Sequence, residues 1–274
     1  MLIDTHCHLD ATEFNESTAE LVAAAGQNGV RYLVIPAVAK ANFTTVQHMA
    51  QQHPELVYAL GIHPLFVPQA DPNDLVDLEQ TLEQAISDPR LVAVGEIGLD
   101  FFVPELKTPV MQEKQLYFYE AQLKLARQFE LPVLLHVRRS QDQILKYLRR
   151  HPGSTGIAHA FNGSQQQAQQ FMDLGFALGF GGAMTFTRAK QIRRLAADID
   201  LKHLVLETDA PDIGPAWLDK KADPTQYNRP AELAAIAEVL AQLRQQPLDQ
   251  IQAQTTATAF RVLPRLAQWH QQNA

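Results

Sequence analysis

The chain has 274 residues, 46% of them hydrophobic and 19% charged, which provides for a large core and excludes a disordered protein. Its net charge of −7 argues against binding duplex DNA through a broad basic surface, although bound cations can supply positive charge locally. No apolar run reaches the roughly 20 residues of a membrane-spanning helix, and we expect no signal peptide. The single cysteine, Cys7, rules out an internal disulfide and predicts a cytoplasmic location.

Eight short apolar runs rich in β-branched residues predict eight strands along the chain. They lie at 2–5, 32–36, 57–62, 92–97, 133–137, 156–160, 176–180 and 204–207. Segments with the apolar spacing of helices separate them. These segments are 17–29, 43–52, 75–87, 112–129, 142–150, 165–174 and 189–197.

Apolar strands that alternate with helices indicate a parallel sheet buried on both faces. Eight such units favour closure into a (β/α)8 TIM barrel, with an open doubly wound sheet as the alternative. The stretch 230–271 predicts two more helices packed outside the barrel. Because no linker composition occurs, we expect one domain covering residues 1–274.

Side chains that can bind metals or phosphate collect where these predicted strands end. They are His6, His8, His63, Glu96, His136, Arg138, His159, Glu207 and Asp209. The carboxyl ends of the strands form the mouth of a barrel, where catalytic groups of this fold lie. We therefore expect these side chains to meet at one site.

The composition of this set predicts a metal centre. Its nitrogen and carboxylate donors suit Zn²⁺ or Mn²⁺, and less naturally Mg²⁺. The predicted ligands are His6, His8, Glu96, His136, His159 and Asp209. Six ligands exceed what one catalytic ion usually takes from a protein, so we predict two divalent ions, with Glu96 as the bridge. Taken singly, a histidine at a strand end could be a structural hydrogen-bonding residue, and Asp209 could form a turn.

The cysteine, a group of glycines and the remaining histidines are not assigned to the predicted site. Cys7 is expected to pack in the core, and glycines 179, 181 and 182 are expected to permit tight geometry at the barrel end rather than to bind phosphate. His203 precedes the eighth strand and receives no role. The remaining histidines are predicted to be solvated. They are His48, His53, His151 and His270.

Several segments together resemble the TatD family of metal-dependent deoxyribonucleases. They are 4–9, 61–64, 95–100, 136–138, 159–163, 207–211, 112–126 and 228–230. The resemblance implies an amidohydrolase-type barrel in which one ion is held by His6, His8, Glu96 and Asp209, and the other by Glu96, His136 and His159. The chain departs from the family pattern at Ala160 and Thr258, neither of which is a predicted ligand.

The resemblance also implies an activity, the hydrolysis of DNA phosphodiester bonds by a 3′–5′ exonuclease that acts on single strands or 3′ ends. Glu96 and Asp209 would be catalytic, with Asp209 orienting the attacking water and taking its proton. His63 and Arg138 would contact phosphate, although Arg138 could equally form a salt bridge at the rim. Glu207 would support a metal ligand from behind.

Three other interpretations apply to such a site. The first is an amidohydrolase-type hydrolase of small lactones, amides or phosphoesters, and the second is a metal-dependent binding protein without activity. The third is a degenerate site, which the complete set of expected ligands disfavours. Many small-molecule hydrolases of this type use a carboxylated lysine as the bridge, which Glu96 at the fourth strand disfavours here. We expect no membrane partner and a monomeric protein.

Overall fold

The computed structural model describes residues 1–218 and 226–273 of the chain. Its eight strands are β1 (Leu2–Asp4), β2 (Val30–Pro36), β3 (Leu56–Leu60), β4 (Leu91–Asp100), β5 (Val133–Arg138), β6 (Gly156–Ala158), β7 (Phe176–Phe180) and β8 (Leu204–Leu206). Each strand pairs in parallel with the next one along the chain. The sheet curls into a nearly closed barrel with helices between its strands, which confirms the predicted fold class.

Ten α-helices accompany the strands within the described ranges. They are α1 (Thr18–Gln27), α2 (Phe43–Gln52), α3 (Pro72–Ala85), α4 (Pro109–Gln128), α5 (Gln141–Arg150), α6 (Gln165–Asp173), α7 (Lys190–Asp198), α8 (Leu233–Arg244), α9 (Leu248–Val262) and α10 (Pro264–Asn273). Local capping sets several of their starts; at α1 the Ser17 hydroxyl accepts from Glu20 N, and the Glu20 carboxylate accepts from Ser17 N. Within the described residues, no helix is both long and apolar enough to cross a membrane.

The first and last strands meet through hydrogen bonds just beyond their ends. Thr5 N donates to Leu206 O over 3.1 Å, and Asp209 N donates to His6 O over 2.8 Å. Because β1 and β8 have only three residues each, these bonds carry much of the closure. They also place the segments after β1 and β8 side by side at the barrel mouth.

Strand β4 is longer than the sequence predicted, because it continues past Glu96 to Asp100. Gly98 makes this possible: its φ is 145°, and a Cβ at this position would lie 2.1 Å from His136 O. Only glycine allows β4 and β5 to approach this closely. As a result Glu96 lies within a paired strand, and Asp100 lies opposite Arg138.

The C-terminal stretch forms three helices, so the prediction of two was wrong. Helix α8 ends at Gln245, whose φ of 52° is left-handed. Pro264 then starts α10, since proline lacks the N–H that would continue α9. Side chains from the junction of α9 and α10, among them Val262 and Leu266, belong to the same buried cluster as Tyr32 and other strand residues. These helices therefore pack outside the strands but close the end of the barrel opposite the mouth.

Candidate metal centre

The Glu96 carboxylate lies at the centre of the barrel mouth and is 1% exposed. Its Oε2 atom is 3.0 Å from His6 Nε2 and 3.4 Å from His8 Nε2. Its Oε1 atom is 3.0 Å from His136 Nδ1 and 3.1 Å from His159 Nε2. The two oxygens therefore face two different groups of histidines, which is the arrangement that a bridging carboxylate requires.

Asp209 completes the group on the side of His6 and His8. Its Oδ1 atom is 3.7 Å from the Nε2 atom of each. The residue adopts a left-handed φ of 58°, which aspartate tolerates better than most residues. Burial, opposed mainly by His159 and His8, raises the pKa of Asp209 to about 6.

The spacing of the donor atoms fits divalent ions. Two donors about 2.1 Å from one ion are roughly 3.0 to 3.5 Å apart, for octahedral and tetrahedral geometry respectively. The distances from Glu96 to four histidines fall in this range, and those from Asp209 are slightly longer. Three groups of possible ligands result: His6, His8 and Asp209; His6, Glu96 and His159; and His63, Glu96 and His136.

Burial and neighbouring charges shift the pKa values of the candidate ligands in different directions. Burial lowers the pKa of His6 to about 3, so its ring is neutral and its nitrogen lone pair is available. Burial opposes ionisation of Glu96, but the surrounding histidines, His63 and His6 foremost, hold its pKa well below the usual value. The centre thus combines an ionised carboxylate with a neutral His6. At His8, His136 and His159 burial opposes protonation, but the nearby carboxylates outweigh it and raise the pKa, to about 8 for His8.

Two carboxylates lie behind the histidines and orient them. Asp100 Oδ2 is 3.1 Å from His136 Nε2, and Glu207 Oε1 is 3.5 Å from His159 Nδ1. With these outer nitrogens protonated, the other nitrogen of each ring presents its lone pair to the centre. Gly179 makes room for Glu207, because a Cβ there would lie 2.2 Å from Glu207 Oε2.

Asp100 was missed at the level of sequence, although a signal for it exists. In an extended strand Glu96 and Asp100 point to the same face, being four residues apart. The prediction that β4 ended near Glu96 hid this relation. Asp100 also accepts hydrogen bonds from the N–H groups of Phe102 (2.8 Å) and Val103 (3.0 Å), so it shapes the loop after β4.

Asp4 is a second residue whose role the sequence left open. It is fully buried, and its carboxylate accepts hydrogen bonds from Thr208 N (2.9 Å), the Thr208 hydroxyl (2.5 Å) and His6 N (3.3 Å). Burial raises its pKa to about 7. Asp4 thus joins the end of β1 to Thr208, the residue before Asp209. This connection brings the side chains of His6 and Asp209 close together, with His6 Nε2 3.7 Å from Asp209 Oδ1.

His63 reaches the centre with a defined tautomer. Its Nδ1 atom accepts the N–H of Leu65 over 3.1 Å, so in the neutral ring the proton is on Nε2. Nε2 lies 3.0 Å from His136 Nδ1 and 3.3 Å from Glu96 Oε1. His63 therefore presents an N–H donor to the site, which suits contact with an anionic oxygen better than metal ligation.

Arg138 lies further out, at the rim, with its side chain 49% exposed. Its guanidinium is 3.7 Å from Asp100 Oδ2 and 4.0 Å from the centre of the Phe102 ring. The rim salt bridge considered from the sequence is thus present. Its outward nitrogens remain on the solvent side of the mouth.

Of the histidines predicted to be solvated, His151 is buried and His270 is partly buried. His151 is only 7% exposed and lies 3.2 Å from a Glu120 oxygen, because the turn after α5 folds back against α4. His270 lies 3.1 Å from the Tyr32 hydroxyl as part of the contact between α10 and the barrel end. Cys7 is buried among apolar side chains, as predicted.

Comparison with known proteins agrees with this geometry. The profile of the family described as TatD related DNase matches residues 3–264. A Haemophilus influenzae protein named as an uncharacterized metal-dependent hydrolase is 40% identical over 263 residues, covering 94% of this chain and 98% of the relative. The 3′-5′ ssDNA/RNA exonuclease TatD of Edwardsiella piscicida is 33% identical over 272 residues, covering 97% of this chain and 100% of the relative.

A solved structure shows the same architecture. The crystal structure of the TatD homolog YjjV from Escherichia coli superimposes with a TM-score of 0.88 at 37% identity, covering 96% of this chain and 98% of that one. Sequence profile, relatives and fold agree over almost the whole length. The chain belongs to the TatD family of metal-dependent hydrolases.

Proposed function

We propose that this hydrolase cleaves phosphodiester bonds of single-stranded DNA from the 3′ end. The observation that carries the proposal is the Glu96 carboxylate, whose two oxygens face separate groups of histidines. Two divalent ions held there would polarise a phosphoryl oxygen and lower the pKa of a water molecule. Such a centre suits phosphodiesters, and a relative 33% identical to this chain is named a 3′-5′ ssDNA/RNA exonuclease.

In this proposal each side chain around the centre has a separate role in catalysis or substrate binding. Asp209, on the side of His6 and His8, orients the attacking water and accepts its proton. The Nε2–H of His63 donates to a phosphoryl oxygen, where it stabilises negative charge that develops during attack. Arg138, exposed at the rim, meets a phosphate further along the strand.

Charge and shape favour a strand end over the middle of a duplex. With a net charge of −7, general attraction to a polyanion is weak, so binding depends on the mouth of the barrel. Two or three phosphate contacts correspond to a slope of log affinity against log salt of roughly −1.4 to −2 on single strands. The ligands are nearly buried, so a scissile bond reaches them most easily from a flexible 3′ end. We expect the protein to be a monomer and to act in the cytoplasm.

The test is a time course with an oligonucleotide labelled at its 5′ end and protein loaded with Mn²⁺, Mg²⁺ or Zn²⁺. We expect a ladder that shortens from the 3′ end, faster for single strands than for duplexes and abolished by a chelator. Asp209→Asn serves as the matched inactive variant. If no DNA is cleaved with any of these ions while a lactone, amide or small phosphoester is hydrolysed rapidly, the alternative reading as a small-molecule hydrolase is correct.

A further inference from the structure

An exposed aromatic ring lies beside two arginines at the mouth of the barrel. Phe102, just after β4, is 40% exposed. The guanidinium carbons of Arg138 and Arg139 are 4.0 and 4.8 Å from the centre of its ring. Both arginines are exposed, in a chain whose net charge is negative. The three side chains form a locally positive, aromatic patch, which we call the Phe102 platform.

Hydrogen bonds connect the Phe102 platform to the candidate metal centre. The Asp100 carboxylate that contacts His136 through Oδ2 also accepts the Phe102 N–H through Oδ1, over 2.8 Å. On the other side, the Ser140 hydroxyl donates to Leu99 O over 2.6 Å and ties the segment after Arg139 to β4. A strand whose phosphate reached the centre would therefore pass close to the Phe102 platform.

We propose that the Phe102 platform holds an unpaired nucleobase of the nucleotide chain next to the cleaved phosphodiester. This inference deepens the proposed function and rests on it. Aromatic rings with neighbouring arginines are a general means of holding bases of single strands, because every base has a π face. Arg138 and Arg139 complement the charge of the flanking phosphates. A base stacked within a duplex cannot reach the ring, so the platform selects single strands.

The experiment separates the contribution of the base from that of the backbone. Strands with nuclease-resistant phosphorothioate linkages, 5′-labelled, carry one abasic nucleotide at successive positions from the 3′ end. Fluorescence anisotropy gives their Kd for the Mn²⁺-loaded protein. For the wild type, one abasic position should raise the Kd about five- to a hundredfold. In Phe102→Leu the complete strand should bind more weakly by a similar factor, and the abasic effect at that position should vanish, whereas Phe102→Trp should restore it.

Two matched controls exclude general effects. Tyr117→Leu changes a ring that is 55% exposed on the outer helix α4, and its abasic profile should equal that of the wild type. Arg139→Gln should reduce the salt slope by about 0.7, the value for one phosphate contact. Arg150→Gln should leave the salt slope unchanged, because Arg150 lies over the Tyr147 ring at the C-terminal end of α5, the helix that leads away from the mouth.

The outcomes distinguish this inference from the proposed function. Identical abasic profiles for the wild type and Phe102→Leu, or a flat profile for the wild type, overturn the platform even if the strands are cleaved from the 3′ end. The expected profile, together with no cleavage of unmodified DNA by any metal-loaded form, supports the platform and overturns the proposed hydrolysis.

Discussion

The Asp100→Asn substitution tests whether the two sides of the centre bind ions separately. Asparagine keeps the shape of the side chain and an oxygen that can accept from Phe102 N–H and Val103 N–H, so the loop after β4 should remain in place. The bond to His136 Nε2, 3.1 Å long, is lost, because the amide N–H₂ then faces an N–H. The loss of such a supporting bond typically weakens metal binding by about 10- to 100-fold.

The contact between Asp100 and Arg138 adds little to this figure, because it is 3.7 Å long and the Arg138 side chain is 49% exposed. Isothermal titration of chelator-treated protein with Zn²⁺ measures the effect. We expect one of two binding steps to weaken by that factor and the other to remain unchanged. Asp4→Asn is the matched variant on the side of His6, and it should weaken the other step. If both variants weaken the same step, or if both steps weaken equally in Asp100→Asn, the reasoning is refuted.

Three further substitutions probe the bridge, the base and the barrel end. Glu96→Ala should remove most bound metal and activity from a folded protein; two tightly bound equivalents, measured by metal analysis, would refute the bridge. Asp209→Asn should retain part of the metal and lower turnover at least about 10²-fold. Near wild-type turnover of this variant would exclude Asp209 as the general base. Leu266→Ala, which empties a fully buried site, should cost about 2–5 kcal/mol in urea unfolding and leave metal content unchanged; equal stability would contradict the packing.

The strands could be predicted because each is a short apolar run buried on both faces. The exceptions have local causes. At the end of β4 the sequence turns to glycine and aspartate, so the apolar pattern stops while the pairing with β5 continues through Gly98. At the C-terminus the apolar spacing of α9 resumes after Pro264, which concealed the break between α9 and α10.

The residues of the site could be predicted from position, but their partners could not. Parallel strands bring their carboxyl ends together, so His6, Glu96 and Asp209 meet whatever the loops do. Supporting contacts depend on the tertiary structure. Gln122 on α4, for example, accepts from Ile62 N over 2.7 Å and donates to Ile62 O over 3.1 Å, which fixes the residue before His63. Nothing in the spacing of a glutamine within an amphipathic helix specifies such a contact.

Closure of the barrel and assembly of the metal centre depend on the same few hydrogen bonds. Asp4 receives two bonds from Thr208, and the backbone bond from Asp209 N to His6 O joins the two ligand segments directly. A buried carboxylate is costly unless its oxygens are satisfied, and an apolar residue at position 4 would avoid that cost. It would also leave the backbone N–H of Thr208 without its acceptor, at the one seam where both strands are only three residues long. The polar seam therefore serves both stability and chemistry, because the two strands whose ends it joins are those that bring His6 and Asp209 together.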